Sequence, residues 1–350
     1  MARTLKVGII GATGYGGGEV VRLLSRHPAV EIAALQGRDR GGEPIGRSQP
    51  HLAGTGHVVG SELPDGLDAV FLGLPHGAAA TLVPDLLDRG VAVVDLGPDF
   101  RLRAPADYPR WYHFEHPRPD LLATAVYGLP ELHRAELAAL RDKAVRIVAS
   151  PGCYATAAIL SLAPLARAGL LADVVVDAKS GVSGAGRDPK PDLQFGEVNE
   201  SVKAYGLGGH RHVAEIEQEL AAAGADAGGP LLSPVDFLPH LIPMSRGILS
   251  AAHVRPSRAV TQAELDALYG EAYADERFVE VVGEPPATKH VTGSNTFRVH
   301  ARLDDRTGRI TVIGVLDNLV KGAAGQAIQA FNVVFGLPEA SGLEQLPLAP

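Results

Sequence analysis

A single cysteine, Cys153, stands among 350 residues, so no intrachain disulfide can form and a reducing compartment is expected. No run of Lys or Arg interrupts a chain whose formal net charge is −8, which argues against a nucleic-acid-binding surface. There is no uncharged apolar stretch of about 18 residues, and the N-terminus lacks the apolar core of a secretory signal. The expectation is a soluble, cytoplasmic protein with no membrane contact. Internal repeats and low-complexity segments are also missing. What is present is a hydrophobic content of 46%, ample for a large core, in a length that suits about two domains.

The N-terminal part alternates short β-rich runs with helical patterns, as a parallel α/β sheet does. Strands are expected over 7–10, 31–35, 69–73, 91–96 and 145–149, and helices over 19–25, 78–89 and 131–143, with Gly90 stopping the second helix. From about Cys153 the pattern changes. A helix over 154–168, with Pro164 as a candidate kink, precedes strands over 174–179, 248–254, 277–282, 296–303 and 309–315. The last two flank the loop Asp304-Asp305-Arg306-Thr307-Gly308. This predicts a mixed or antiparallel sheet in an α+β domain, with the Gly/Pro-rich stretches 181–191 and 224–234 as loops within it. A final helix is expected after the capping pair Asp317-Asn318, ending at Gly336.

Two local patterns carry chemistry. Cys153 lies in Ser150-Pro151-Gly152-Cys153-Tyr154-Ala155-Thr156, where a strand turns into a helix. Backbone N–H groups at a helix start stabilise a thiolate, so the position suits a nucleophile; a small apolar filler is the other reading. Gly11-Ala12-Thr13-Gly14-Tyr15-Gly16-Gly17 follows the first strand and opens the first helix. Bare backbone there admits a pyrophosphate, and the helix start supplies N–H donors, so Gly11, Thr13, Gly14, Tyr15, Gly16 and Gly17 are candidate dinucleotide contacts. The second strand runs on into Gln36-Gly37-Arg38-Asp39-Arg40. The first charge is Arg38, which suits a 2′-phosphate and favours NADP over NAD, although a solvated loop arginine would look the same and Asp39 points the other way.

These motifs resemble the N-acetyl-γ-glutamyl-phosphate reductase family of arginine biosynthesis, within the wider semialdehyde dehydrogenase group. Besides the glycine loop and the cysteine turn, the resemblance rests on Leu74-Pro75-His76-Gly77, Asp99-Phe100-Arg101-Leu102, the run from Asp177 to Arg187, and Glu197-Val198-Asn199-Glu200. It continues through Ala204-Tyr205-Gly206, Gly208-Gly209-His210-Arg211-His212 and Asp317-Asn318-Leu319-Val320-Lys321-Gly322. The resemblance implies an α/β fold with a Rossmann-type NADP-binding domain plus an α+β glyceraldehyde-3-phosphate-dehydrogenase-like substrate and dimerisation domain. It places 1–150 and 317–350 in the first and 151–316 in the second.

The implied reaction is the NADPH-dependent reduction of an acyl phosphate to an aldehyde through a thioester on Cys153, with release of phosphate. His210 and His212 are the implied proton carriers, with His210 preferred; the His-x-His spacing shows no third ligand for a metal. Pro75 and His76 are expected to wall the cofactor, and Asn318 and Lys321 belong to a segment the family sets near it. Arg101, Lys179, Ser180, Ser183, Arg187, Glu197 and Tyr205 are candidates to hold a substrate bearing a phosphate and a carboxylate. The second domain would pair subunits into a homodimer or homotetramer. Alternatives are a related reductase acting on aspartyl phosphate or on an amino-acid phosphate linked to a carrier protein, and, in another class, a non-catalytic NADP-binding sensor.

Overall fold

The computed structural model describes residues 3–37, 41–225 and 234–348. Arg38, assigned to the 2′-phosphate, lies outside the described residues, as does most of the stretch 224–234. The chain divides into two compact units, 1–151 with 323–344 and 152–322 with 345–350.

The first unit contains β1 (Leu5–Ile10), α1 (Tyr15–Leu24), β2 (Val30–Gln36), β3 (Val59–Gly60), β4 (Ala69–Leu72), α2 (Ala78–Asp88) and β5 (Ala92–Asp95). It continues through α3 (Asp107–Tyr112), α4 (Pro119–Leu122), β6 (Ala125–Tyr127), α5 (Pro130–Ala139) and β7 (Ile147–Ala149). The strands form one sheet in the order β3-β2-β1-β4-β5-β7-β6, every pair parallel. Strands β4 and β5 are buried at every position, as expected of a parallel sheet covered on both faces. This is the doubly wound arrangement in which ligands lie beyond the carboxyl ends of the central strands.

The second unit opens with α6 (Cys153–Arg167), β8 (Leu171–Gly181), α7 (Phe195–Val198), β9 (Lys203–Ala204) and α8 (His212–Ala225). There follow β10 (Val235–Ile242), β11 (Ile248–Pro256), α9 (Gln262–Ala272), β12 (Val279–Val281), β13 (Phe297–Asp304) and β14 (Arg309–Leu316). Its sheet has the order β12-β13-β14-β11-β8-β10-β9. The centre is antiparallel, while β8 with β10 and β12 with β13 run parallel. Helix α6 is buried from Tyr154 through Ala166, consistent with an alanine-rich helix enclosed on all sides. Pro164 lies inside it and cannot donate to the carbonyl of Leu160. The Tyr273 hydroxyl donates to that carbonyl instead, and the Tyr269 hydroxyl donates to the next one, Ser161, at 2.6 Å.

Several elements depart from the sequence reading. Strands β3, β6, β9 and β10 and helices α3, α4, α7, α8 and α9 are not among the expected elements. Pro239 within β10 reads against a strand, but the strand sits one place from the sheet edge and pairs with β9 only at His240 and Leu241. The final helix also starts later than expected. Asp317 Oδ1 accepts from the N–H groups of Leu319 and Val320 at 2.8 and 3.3 Å. A π-helical turn (Val320–Ala324) then precedes α10 (Gly325–Phe335), which belongs to the first unit and ends at Gly336 with φ 66°.

Candidate active site

The chain passes from β7 through Pro151 to Gly152, which is extended and caps α6, so that Cys153 is the first helical residue. The thiol is half-buried and lies at the helix end whose N–H groups favour a negative charge. Two glycines fit tightly around it. A Cβ on residue 152 would lie 2.3 Å from Nε2 of His212, and a Cβ on residue 322 would lie 2.7 Å from Cβ of Cys153. An imidazole therefore lies against the residue preceding the thiol, and the backbone of the π-helical turn closes on the cysteine itself.

His212 is the first residue of α8 and is 6% exposed. One turn on, Glu215 is fully buried; its Oε2 accepts the N–H of Gly152 at 2.9 Å and its Oε1 lies 3.9 Å from Nε2 of His212. His210 has different surroundings. Its ring packs edge-on to Tyr154, Tyr205 and His212, with centroids 5.7, 5.6 and 4.7 Å away, and tilted against Phe237. Its Nδ1 accepts from the N–H of His212 at 3.2 Å, so the neutral ring carries its proton on Nε2. Burial, aided by the Arg211 charge, pushes its pKa down to about 4. His210 is thus a weak base held in an aromatic cluster, and it is His212 that meets the cysteine turn. The Tyr205 hydroxyl is bonded to that of Tyr154, and burial pushes the Tyr205 pKa up to about 12. The Tyr154 hydroxyl also donates to the carbonyl of His240 at 2.9 Å.

The remaining substrate candidates have varied partners, and the Ser180 hydroxyl is also bonded to that of Tyr154. Ser180 is buried and its hydroxyl donates to the carbonyl of Gly181 at 2.9 Å. Lys179 pairs with Asp177 at 2.6 Å, and Asp177 also lies 3.2 Å from Nδ1 of His240. Ser183 Oγ accepts from Asn318 Nδ2 at 2.9 Å, while Asn318 Oδ1 accepts the N–H of Gly247 at 2.8 Å. Asn318, expected at the cofactor, thus lies in the second unit and ties two of its loops together. Arg187 and Glu197 are exposed. Arg101 lies in the first unit, buried, donating to the carbonyls of Ser150 and Leu96, each at 2.8 Å. Lys321 is fully buried, its ammonium 5.6 Å from the centre of the Phe278 ring.

In the first unit the glycine loop contains two kinds of glycine. Gly11 has φ 85°, and a Cβ there would lie 2.2 Å from the carbonyl of Gly73; a Cβ on Gly17 would lie 2.2 Å from that of Gly11. Packing requires both. At Gly14 and Gly16 the nearest atoms to a Cβ are 3.4 and 3.8 Å away, so the protein itself does not demand glycine there. The open space at the start of α1 is the cradle a pyrophosphate needs. Thr13 packs against Gly37, Tyr15 is 40% exposed, and the Gln49 amide donates to the carbonyls of Thr13 and Gly14 at 3.1 and 2.8 Å. Pro75 and His76 are exposed at the end of β4, with the His76 ring 5.7 Å from that of Tyr112. Buried Asp99 caps α2 by accepting from Gly77 at 2.8 Å and Ala80 at 3.0 Å.

Known proteins carry the same two parts. Residues 6–140 match the family described as semialdehyde dehydrogenase, NAD binding domain, and residues 153–318 match semialdehyde dehydrogenase, dimerisation domain. The N-acetyl-gamma-glutamyl-phosphate reductase of Dehalococcoides mccartyi is 46% identical over 346 residues, 99% of each chain. That of Symbiobacterium thermophilum is 48% identical over 349 residues, 97% of each. The chain belongs to the N-acetyl-γ-glutamyl-phosphate reductase family. Its fold is also that of aspartate semialdehyde dehydrogenase II of Vibrio cholerae, solved with ASA, at a TM-score of 0.71 and 18% identity over 95% of this chain and 98% of that one.

Within this family member, sequence reasoning missed Glu215, Gln49 and the cap made by Asp99. Each acts on a partner at least 19 residues away, and no local spacing announces such a pair. His212 and Glu215, at i and i+3 on one helix, were the signal that could have been read. Gly322 belongs to the Asp317-to-Gly322 motif, but its close approach to Cys153 is invisible without the fold. Among the described residues no group of three or more His, Cys, Asp or Glu side chains is arranged to hold a metal ion, and no helix is long and apolar enough to cross a membrane.

Proposed function

We propose that this protein reduces N-acetyl-L-glutamyl 5-phosphate to N-acetyl-L-glutamate 5-semialdehyde with release of phosphate, as a step of arginine biosynthesis, through a thioester on Cys153. The observation that carries the reading is the thiol at the first position of α6, with the His212 ring against the preceding glycine. Family membership supplies the substrate.

His212 takes the thiol proton, and the thiolate, stabilised by the N-terminus of α6, attacks the acyl carbonyl. The carbon–oxygen bond to phosphate breaks, phosphate leaves with the bonding pair, and the acyl group remains on sulfur. When bound, the reduced nicotinamide supplies the hydride that lowers the thioester carbon to the aldehyde oxidation level. The His212 imidazolium gives its proton to the carbonyl oxygen as charge builds there, then removes it as the carbon–sulfur bond breaks, which restores the thiolate and frees the aldehyde. The backbone N–H of Cys153 is our assignment for a donor to that oxygen. His210, neutral at pH 7 by its pKa of about 4, supports the His212 backbone and the aromatic wall.

The nucleotide is assigned to Gly11, Thr13, Gly14, Tyr15, Gly16 and Gly17, where the cradle at the start of α1 fits a pyrophosphate, with Pro75 and His76 as a wall. Arg38 as the partner of a 2′-phosphate makes NADP our assignment over NAD. Ser180, Ser183, Lys179 and Tyr205 are assigned to the substrate, with Arg187, Glu197 and Arg101 as further contacts. We assign nucleotide binding to 1–150 with 317–350 and substrate binding to 151–316. Pairing of copies through the second unit is supported by its match to a dimerisation domain; a homodimer or homotetramer working in the cytoplasm is our assignment.

The test is phosphate-dependent reduction of NADP with each candidate semialdehyde. N-Acetylglutamate semialdehyde is expected to be the substrate, with aspartate semialdehyde turned over far more slowly. Cys153→Ser is expected to abolish turnover while nucleotide binding survives. A Cys153→Ser variant with full activity would overturn the mechanism.

A further inference from the structure

Gln49 is distant from the glycine loop in sequence and lies against it in space. It is buried, at 5% exposure, and its Nε2 donates to the carbonyl of Thr13 at 3.1 Å and to that of Gly14 at 2.8 Å. We propose that Gln49 is a positioning residue for the dinucleotide. Its amide draws the carbonyls of the glycine loop to one side, so that the N–H groups opening α1 are left to face the pyrophosphate. The inference rests on the reading of the glycine loop as a nucleotide cradle, which the match of residues 6–140 to an NAD binding domain supports.

The C=O and N–H of a trans peptide point in opposite directions. Holding the Gly14 carbonyl on Gln49 therefore aims the N–H of Tyr15 the other way. That N–H belongs to the first turn of α1, whose donors have no partner within the helix and suit an oxyanion. The Gly14 carbonyl also accepts the first helical bond, from Gly18 at 2.9 Å. The Thr13 carbonyl precedes the helix, and there the amide matters most: a peptide that rotated would turn an oxygen towards the phosphate. The amide is itself held firmly. Gln49 stands between two short 3₁₀ turns, Ile45–Arg47 and Pro50–Thr55, anchored by buried Ile45 and Leu52. Its N–H donates to the carbonyl of Ile45 and its carbonyl accepts from Leu52, each at 2.8 Å. Gly18 on α1 makes the room, since a Cβ there would lie 2.6 Å from Nε2 and 2.8 Å from Cδ of Gln49. Glycine within a helix is unfavourable relative to alanine, so its use at residue 18 fits a demand for the amide.

Gln49→Met keeps the length of the side chain and removes both donated bonds. In the full-length protein the Kd for NADPH, read by fluorescence titration, should rise about tenfold. The KM for NADP should rise with it, while kcat and the KM for N-acetylglutamate semialdehyde stay within about twofold of wild type. Gly18→Ala tests the same contact from the other side and serves if Gln49→Met does not fold. Its methyl group displaces the amide, so NADPH affinity should fall by a similar factor while the thermal midpoint holds or rises, because alanine favours the helix. A merely structural amide predicts the reverse, a lowered thermal midpoint with unaltered affinity. In the double variant the losses should not add, since both changes remove one contact. A Gln49→Met protein that binds NADPH within about twofold of wild type, or a Gly18→Ala protein that does so where the first does not fold, would overturn the inference. Wild-type binding with unchanged variants means that Gln49 alone is misassigned. A wild-type protein that binds neither NADPH nor NADH would remove the cradle reading and this inference with it.

Discussion

Gly152 and Gly322 show how little room surrounds Cys153. A Cβ on residue 152 would sit 2.3 Å from Nε2 of His212, so Gly152→Ala must push the imidazole away from the cysteine turn. A displacement of about 1 Å at reacting groups costs on the order of 10²-fold in rate. The expected outcome is a fall of that order in kcat with nucleotide affinity unchanged, measured by steady-state kinetics and by fluorescence titration with NADPH. A variant within about threefold of wild type would show that the ring has room to move. Cys153 itself was legible because a lone thiol at a strand-to-helix turn has a physical meaning within seven residues of sequence. The choice between His210 and His212 was not legible. It depends on which ring is absorbed by Tyr154, Tyr205 and Phe237, side chains on three separate segments.

Helix α6 carries the cysteine and is interrupted by proline without breaking, because Tyr273, beyond the end of α9, donates to the carbonyl that Pro164 leaves without its usual partner. Removing the hydroxyl in Tyr273→Phe should cost about 1–3 kcal/mol, the range for a buried acceptor left unsatisfied, read from urea unfolding with the slope unchanged. A loss below about 0.5 kcal/mol would mean that the carbonyl finds another donor. Elements with a strong local pattern were readable, among them β4, β5 and the β13–β14 hairpin with its Asp304-to-Gly308 loop. Strand β10 was hidden by Pro239, which is tolerated because the neighbouring β9 is two residues long and pairs beyond it. Helix α9 does have a sequence signal, the Thr261 cap that accepts from Glu264 at 3.2 Å, but its apolar face is narrow. The late start of α10 reflects Asp317, whose carboxylate holds the N–H groups of Leu319 and Val320 at the entry to the π-helical turn and, at 2.7 Å, that of Gly293. That tertiary bond overrides the simple capping pattern.

Across the whole molecule, stability should respond to pH through opposing buried groups. Burial lowers the pKa values of His27 and His116 in the first unit and of His210, to about 4, in the second. Their unfolded value is 6.5, so the unfolded chain binds more protons below it, and stability is lost as pH falls below 6.5, in the case of His210 down to about 4. Asp95, fully buried at the end of β5, is pushed up from 3.8 to about 7 by burial and then by the neighbouring Asp99. Its contribution is present below 3.8 and lost as pH rises through 7, the opposite slope in the same window. Asp95→Asn, whose amide oxygen can still accept from Gly97, is therefore expected to be more stable than wild type above pH 7. It should also show a steeper loss on acidification from pH 6.5; urea unfolding at pH 5, 6.5 and 8 reads both. A variant equally destabilised at all three values would contradict the assignment. The most direct test of the central claim is mass spectrometry of the intact protein mixed with N-acetylglutamyl phosphate in the absence of reduced nucleotide. A mass increase of one N-acetylglutamyl group, mapped to Cys153 and absent in Cys153→Ser, is the predicted result. An unmodified cysteine in protein that turns over as soon as NADPH is added would contradict it.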